Sequence, residues 1–358
     1  MSVVLALVTD AFGGRGGIAQ YNRDFLSALA SCGHQVTAIS RYAPDEVQLP
    51  AGIVQRSSHA GRIAYSVAAF GEAIFHRPDI VFCGHIFMAP LAWMVARVAA
   101  AKLVIQTHGI DAWSRPSRLV RWTCEQAAII LSVSRFTRAR VLDWAAIPPE
   151  RVLVIPNTVS DCFKPGNGAA LRHEWKLRDK KVLLTVGRMC ASERYKGQDR
   201  VINLLPRIIN AGLDVVYVIA GKGDDLPRLE RLVHEVGVSD RVRFVGSLPH
   251  EKLIEAYRMA DLFVMPSTGE GFGIAYLEAM ACGTPALGLA ASGARDALLE
   301  GALGFITDDA TLGRSIVEIL KNPDVDRGEL SRKVQQAFGV DQYRRCVSNA
   351  IAILEQTA

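Results

Sequence analysis

The 358-residue chain has no C-x-x-C pair, and its seven cysteines (32, 83, 124, 162, 190, 282 and 346) are odd in number and scattered. That excludes a disulfide framework and a zinc ribbon, and suits a reducing compartment. No H-x-x-H, H-E-x-x-H or G-x-S-x-G occurs, so the usual signatures of zinc proteases and serine hydrolases are missing. The only D-x-D is Asp324-Val325-Asp326, in "KNPDVDRGE", and reads as a turn. No repeat of 20 to 50 residues and no low-complexity tract is found. Uninterrupted apolar runs are also short. The best membrane-span candidate, residues 86–105, contains Pro90, Arg97 and Lys102. Charges at mid-span cost about 2.5 to 3.5 kcal/mol each, so a buried helix followed by a strand is expected there. The start, "MSVVLALVTDAFGG", lacks a basic region and reads as a first strand rather than a secretion signal.

What is present belongs to a globular protein: 50% hydrophobic and 22% charged residues. The length exceeds one ordinary core and predicts about two domains. The net charge of +5 is uneven. Residues 1–160 hold 15 Lys+Arg against 10 Asp+Glu, and the remainder holds 41 − 15 = 26 bases against 36 − 10 = 26 acids. The excess therefore lies wholly in the first half, where 14 of the 15 bases are arginines. Solvated surface and an anionic partner are both compatible with this.

Strand-length apolar runs at 3–9, 36–40, 80–83, 103–107, 129–133 and 152–155 alternate with helical patterns at 18–31, 61–76, 88–100, 117–127 and 135–145. Near-continuous Val/Ile/Leu strands in this order predict a parallel sheet covered on both faces. Residues 156–180 read as a linker. A second series follows, with strands at 182–186, 215–220, 241–245, 262–265 and 285–289 and helices at 199–210, 226–236, 250–259, 274–282 and 310–321. A last helical pattern covers 341–355. The expected fold class is α/β: two doubly wound Rossmann-like domains facing a central cleft, with ligands beyond the carboxyl ends of the strands. The boundaries are set at 1–163, 164–338 and a terminal helix 339–358.

Several loops carry chemistry. In "TDAFGGRGGIAQYN", Gly14, Gly16 and Gly17 allow backbone N–H groups to approach an anion at a helix start. Gly14, Gly16 and Ala19 also fit a dinucleotide fingerprint, but the loop is offset from the strand and Arg41 stands where an acid would end strand 2. Arg188 and Lys196, in "VGRMCASERYKG", pair a guanidinium fork with a compact ammonium, which suits a diphosphate. His108 ends a strand in "THGIDAW". Gly221 and Lys222 follow another strand, and Phe244, Val245 and Gly246 form a strand end that suits a base. In "GEGFGIAYLEAMACGTP", Glu270 precedes a helix and Glu278 lies inside it, with Gly271, Phe272, Gly273, Ile274 and Ala275 at its start. Carboxylates there suit paired sugar hydroxyls, beside N–H groups with partial positive charge. Taken singly, each of these residues also fits a structural role. Arg115, Arg118 and Arg121, with Trp122, suit either an anionic membrane surface or a solvated helix face.

Two domains, "EGFGIAYLEAMACGTP", "VGRMCASERYKG" and "THGID" together resemble the retaining glycosyltransferases of family 4, which have the GT-B fold. The resemblance spans nearly the whole chain. It implies a hexosyltransferase that uses a nucleotide-diphosphate sugar as co-substrate and needs no metal and no other cofactor. Glu278 would hold the nucleotide ribose and Glu270 the transferred sugar. Arg188 and Lys196 would bind the diphosphate, supported by amides from Phe272 to Ala275 and by Gly16 and Gly17. His108 would lie near the sugar O6, and the Phe244 to Ser247 segment would meet the base. The terminal helix would cross back onto the first domain. GDP-mannose or UDP-glucose is the expected donor, and a glycan or lipid-linked sugar of cell-surface polysaccharide or lipopolysaccharide synthesis the expected acceptor. The protein would be cytoplasmic or peripheral on the inner face of the plasma membrane, with no nucleic-acid partner. Two departures stand out: Glu193 lies between Arg188 and Lys196, and Ser292, Gly293 and Asp296 occupy a stretch where a Gly-Gly-x-x-Glu pattern is common. The rival readings are a sugar-nucleotide epimerase or phosphorylase of the same fold, an NADP-linked oxidoreductase using the first glycine loop, and a non-catalytic sugar-nucleotide sensor.

Overall fold

A computed structural model describes residues 1–14, 16–42, 48–56 and 61–356. The chain divides into two compact units, Met1–Thr158 with Val340–Ala358, and Val159–Gly339. The first boundary falls at 158/159, where the sequence suggested 163/164.

Among the described residues the first unit is built on seven strands: β1 (Val3–Val8), β2 (Gln35–Ser40), β3 (Ile53–Arg56), β4 (Ile80–Cys83), β5 (Lys102–Thr107), β6 (Ile129–Ser132) and β7 (Val152–Val154). They pair in the order β3-β2-β1-β4-β5-β6-β7, with every pairing parallel. The central strands are buried along their length because helices cover both faces, which is why they are almost purely aliphatic. The 86–105 run is, as expected, a helix (Ala89–Ala99) followed by β5. The terminal helix Val340–Gln356 belongs to this unit and packs on the helix Gly17–Ser31. Lys102 fastens its end, with Nζ 2.8 Å from the Leu354 carbonyl.

The second unit has six strands: β8 (Lys181–Val186), β9 (Val215–Ala220), β10 (Val242–Gly246), β11 (Leu262–Met265), β12 (Ala286–Leu289) and β13 (Phe305–Thr307). Their order is β10-β9-β8-β11-β12-β13, again parallel throughout.

Three sequence expectations need correction. The short edge strands β3 and β13 were not anticipated. The helix Arg327–Phe338 was not anticipated either; Asp326, read as part of a turn, is its cap and accepts from Glu329 N at 2.9 Å. The stretch read as a linker is built into the second unit. It holds the helix Ala169–Glu174, whose Arg172 bonds the Met259 carbonyl and pairs with Asp261, both at 2.7 Å. Gly168 packs so tightly that a Cβ there would lie 2.4 Å from the Met259 backbone.

Candidate functional site

In the second sheet the strand order reverses between β8 and β11. Loops leaving two such strands diverge and open a crevice at their carboxyl ends. The β8 loop carries Arg188, Glu193 and Lys196, and the β11 loop carries Glu270, Gly271 and Gly273. Sheet topology therefore gathers residues that are some eighty positions apart in sequence.

Arg188 and Lys196 do not stand as two open cations. The Glu193 carboxylate lies between them, with one oxygen against Arg188 Nη2 and the other 3.2 Å from Lys196 Nζ. Glu193 and Lys196 are sheltered, with side chains 11% and 14% exposed, while Arg188 is 70% exposed. The ammonium lies over Gly187, 3.5 Å from where a Cβ would stand. The segment closes on Gly197 at φ 77°, where a Cβ would also meet the Pro266 carbonyl at 2.6 Å. Glycine there lets the β8 and β11 loops touch.

Glu270 is shaped by residues outside the recognised motif. Its backbone N–H donates to Ser292 Oγ at 3.0 Å, and its carbonyl accepts from Gly293 N at 2.8 Å. A Cβ at Gly293 would stand 2.0 Å from the Gly271 carbonyl, so only glycine permits this clamp. Ser292 itself holds φ 51°. Burial raises the Glu270 carboxyl above the ordinary range; Lys196 opposes that, Glu193 reinforces it, and Ser267 and Arg188 oppose it. Among the described residues Oε1 of Glu270 is buried without a hydrogen-bond partner, and such an atom is unfavourable unless something else fills the role.

The helix Ile274–Ala281 begins at Gly273, φ 102°, with no side chain capping its N–H groups. Ile274 and Ala275 thus start a helix with donors open to an anion. Phe272 is buried and packs edge-on against Phe338 at 5.6 Å. Four residues into the helix, Glu278 accepts a hydrogen bond from the Tyr257 hydroxyl at 2.7 Å, which fixes one carboxylate oxygen.

Gly221 and Gly246 have local reasons to be glycine. Gly221 N donates to the Gly246 carbonyl at 2.8 Å, and a Cβ on Gly221 would overlap the Gly187 carbonyl at 1.9 Å. Close packing against the β8 end requires glycine at 221, and a φ of 68° favours it at 246, before any ligand is considered. Lys222 lies beside Gly246, its Cε 3.8 Å from a Cβ built there. Phe244 is half-buried on β10 against the core of the unit, and Val245 follows it on the same strand.

In the first unit His108 follows β5. Its Nε2 is 2.8 Å from the Gly84 carbonyl, so this nitrogen carries the proton. Its backbone N–H bonds Asp111 at 3.1 Å, and Tyr21 packs edge-on at 5.2 Å. Burial pushes the ring pKa down against the pull of Asp111, which keeps the imidazole neutral with its Nδ1 lone pair unprotonated. Gly14 faces the Asp10 carboxyl group, whose oxygen would be 1.8 Å from a Cβ, so the residue is explained by that contact. Gly16, φ 96°, starts the helix Gly17–Ser31 without a side-chain cap.

Arg115 and Arg118 are exposed near Trp122, but Arg121 is paired with Glu125 at 2.7 Å. Trp122 packs on Trp93 at 4.7 Å. Among the described residues no three His, Cys, Asp or Glu side chains are grouped to hold a metal ion, and no helix is long and apolar enough to cross a membrane.

Two family models match the chain: Glycosyltransferase Family 4 over residues 15–161 and Glycosyl transferases group 1 over residues 169–337. A GDP-mannose-dependent alpha-(1-6)-phosphatidylinositol monomannoside mannosyltransferase of Mycolicibacterium smegmatis is 30% identical, over 89% of this chain and 90% of its own length. A D-inositol 3-phosphate glycosyltransferase of Geodermatophilus obscurus is 28% identical, over 95% and 84% respectively. Among solved structures, Anabaena Alr3699/HepE in complex with UDP superposes with a TM-score of 0.80 at 18% identity, covering 98% of this chain and 100% of that one, which shows the shared GT-B fold.

Proposed function

The chain belongs to the family 4 glycosyltransferases, enzymes that take a sugar from a nucleotide sugar, and from that premise we propose that it moves a hexose from a nucleotide-diphosphate donor to a lipid-linked or glycan acceptor of cell-surface polysaccharide synthesis. GDP-mannose is the favoured donor and UDP-glucose the second choice. A relative matched over nine-tenths of its length is named for GDP-mannose and for a lipid-linked mannoside. The observation that carries the reading is the cation pair Arg188 and Lys196 beside the unpartnered carboxylate oxygen of Glu270, at the strand-order reversal of the second unit.

In this reading the anomeric C–O bond to the diphosphate breaks, with positive charge growing on the sugar and negative charge on the leaving group. Arg188, Lys196 and the open helix start at Ile274 and Ala275 stabilise the leaving charge. The acceptor hydroxyl attacks from the face the diphosphate leaves, so configuration is retained, and its proton passes to a diphosphate oxygen. Glu270 accepts hydrogen bonds from hydroxyls of the transferred sugar, and Glu278 from the ribose. His108 contributes an uncharged ring to a sugar hydroxyl. Gly16, Gly17, Gly221, Lys222 and the Phe244 to Gly246 strand end are assigned to binding of the phosphates and base. No metal enters the scheme, so EDTA should leave turnover unchanged.

The acceptor reading includes an anionic membrane surface, which places the enzyme peripherally on the inner face of the plasma membrane. Support comes from Arg115 and Arg118 and from apolar side chains left in solvent on the helices Arg62–His76 and Arg118–Glu125. Ile63 is 82% and Phe75 83% exposed, and Leu119 and Trp122 are exposed as well. Apolar contacts flanked by arginines suit an anionic bilayer.

The test is a thermal-shift screen against UDP-, GDP-, ADP- and CDP-sugars. A ligand at 100 times its Kd stabilises by about 2.7 kcal/mol. A shift with GDP-mannose and transfer to a lipid-linked acceptor are expected. Stabilisation by none of these sugars would overturn the donor assignment, and absence of binding to anionic liposomes at low salt would remove the membrane.

A further inference from the structure

Glu193 has no part in the scheme above, yet its carboxylate contacts both Arg188 and Lys196. Its two carboxylate oxygens divide between the two cations, one to Arg188 Nη2 and one to Lys196 Nζ. That is the bridging a diphosphate would make with the same pair.

We propose that Glu193 is the resident counter-ion of the diphosphate site and determines its affinity: the carboxylate holds Arg188 and Lys196 together in the free enzyme and is displaced by the donor's diphosphate. The inference rests on the site reading given under Proposed function and adds a residue to it.

Three observations support displacement over permanent pairing. First, the contact with Lys196 is electrostatic only. Oε2 of Glu193 lies 3.2 Å from Nζ but has no hydrogen-bond partner among the described residues, so on this side displacement exchanges one ion pair for another, and the contact it must break is that of the other oxygen with Arg188 Nη2. Second, the charges already balance: two cations face the carboxylates of Glu193 and Glu270. A diphosphate adding at least two negative charges would meet repulsion from Glu193 unless that carboxylate withdrew. Third, Glu193 interrupts the short turn Ala191–Lys196 with non-helical φ −118° and ψ 25°. Its side chain therefore sits at a break between two turns, where a local backbone change moves it without unwinding a helix.

The free enzyme gains from the arrangement. Arg188 and Lys196 close together would repel each other, and Glu193 relieves that repulsion until the donor arrives. The same carboxylate favours product release, because it returns to the cations as the nucleoside diphosphate leaves.

The proposal is tested with Glu193→Gln and Glu193→Ala on the full chain, by calorimetric titration of GDP, UDP and inorganic pyrophosphate. Glu193→Gln keeps the shape and removes the charge. It should bind the preferred nucleoside diphosphate and pyrophosphate at least ~10-fold more tightly, as removal of a competing like charge implies, and should show stronger product inhibition. Glu193→Ala should change in the same direction. Unchanged or weaker binding in both variants, with normal binding by the wild type, would overturn the proposal while leaving the site reading intact. Failure of the wild type and both variants to bind any of the three probes would instead remove the diphosphate site itself, and this inference with it.

Discussion

The hydroxyl of Ser292 accepts the main-chain N–H of Glu270 at 3.0 Å, 22 residues away in sequence. With the Gly293 N–H on the Glu270 carbonyl at 2.8 Å, it fixes the turn that presents the Glu270 carboxylate. Ser292→Ala should therefore act on chemistry more than on binding. One neutral hydrogen bond contributes about 1 kcal/mol, so kcat should fall ~5- to 10-fold with KM little changed. Initial-rate kinetics check this; an unchanged kcat would make the bond incidental.

Arg188 is exposed and, among the described residues, its ion-pair partner is Glu193, so its removal should spare the fold. Arg188→Ala should retain the wild-type melting temperature and lose at least ~100-fold in turnover, by comparison with removal of one preorganised donor of charge stabilisation. Arg188→Lys should recover only part of the loss, because a point charge replaces a fork. Turnover near that of the wild type would remove Arg188 from the leaving-group role.

Glu270 carries a pH prediction. Burial raises its carboxyl above the ordinary value of about 4.3. In the proposed role the ionised form accepts sugar hydroxyls, so activity should fall as pH drops through the raised value, giving an acidic limb higher than an ordinary glutamate would. In Glu270→Gln the residual activity should lose that limb. A pH–rate profile whose limb survives in Glu270→Gln would assign it to another group.

Asp24 tests the first unit independently of catalysis. Burial pushes its carboxyl up to about 6, against the hydrogen bond from Gln20 and the charge of Arg23. Its folded value lies above the unfolded value of about 3.9. Its favourable contribution is therefore complete below the unfolded value and is lost as pH rises through about 6. At neutral pH the buried carboxylate is destabilising. Asp24→Asn should raise stability at pH near 7.5 by about 1 kcal/mol, discounted for partial solvent screening, with no gain near pH 4. Calorimetric scans at both pH values decide it; an equal gain at both would reject the titration argument.

Much of this molecule could be read from residue order. Near-continuous Val/Ile/Leu runs such as 182–186 and 215–220 can only be strands buried on both faces, and the amphipathic stretches between them can only cover those faces. Among the described residues, eleven of the thirteen strands are legible in that way. The exceptions, β3 (Ile53–Arg56) and β13 (Phe305–Thr307), are partly exposed sheet-edge segments that lack the aliphatic run of the equally short β4, β6, β11 and β12. The helix Arg327–Phe338 was missed because its buried stripe is narrow: Leu330, Val334 and Phe338 recur every fourth residue among charged neighbours. Glu270, Glu278, Arg188 and Lys196 stood out in sequence because glycine turns and helix starts bring main-chain donors and side chains to one place, and those local requirements are written in adjacent residues. Partnerships across loops are different. That Ser292 and Gly293 clamp Glu270 and that Arg172 ties an apparent linker to Asp261 depend on where separate strands end in space. Chain order specifies which residues can pair; only the crossing of strands in the folded sheet selects which of them do.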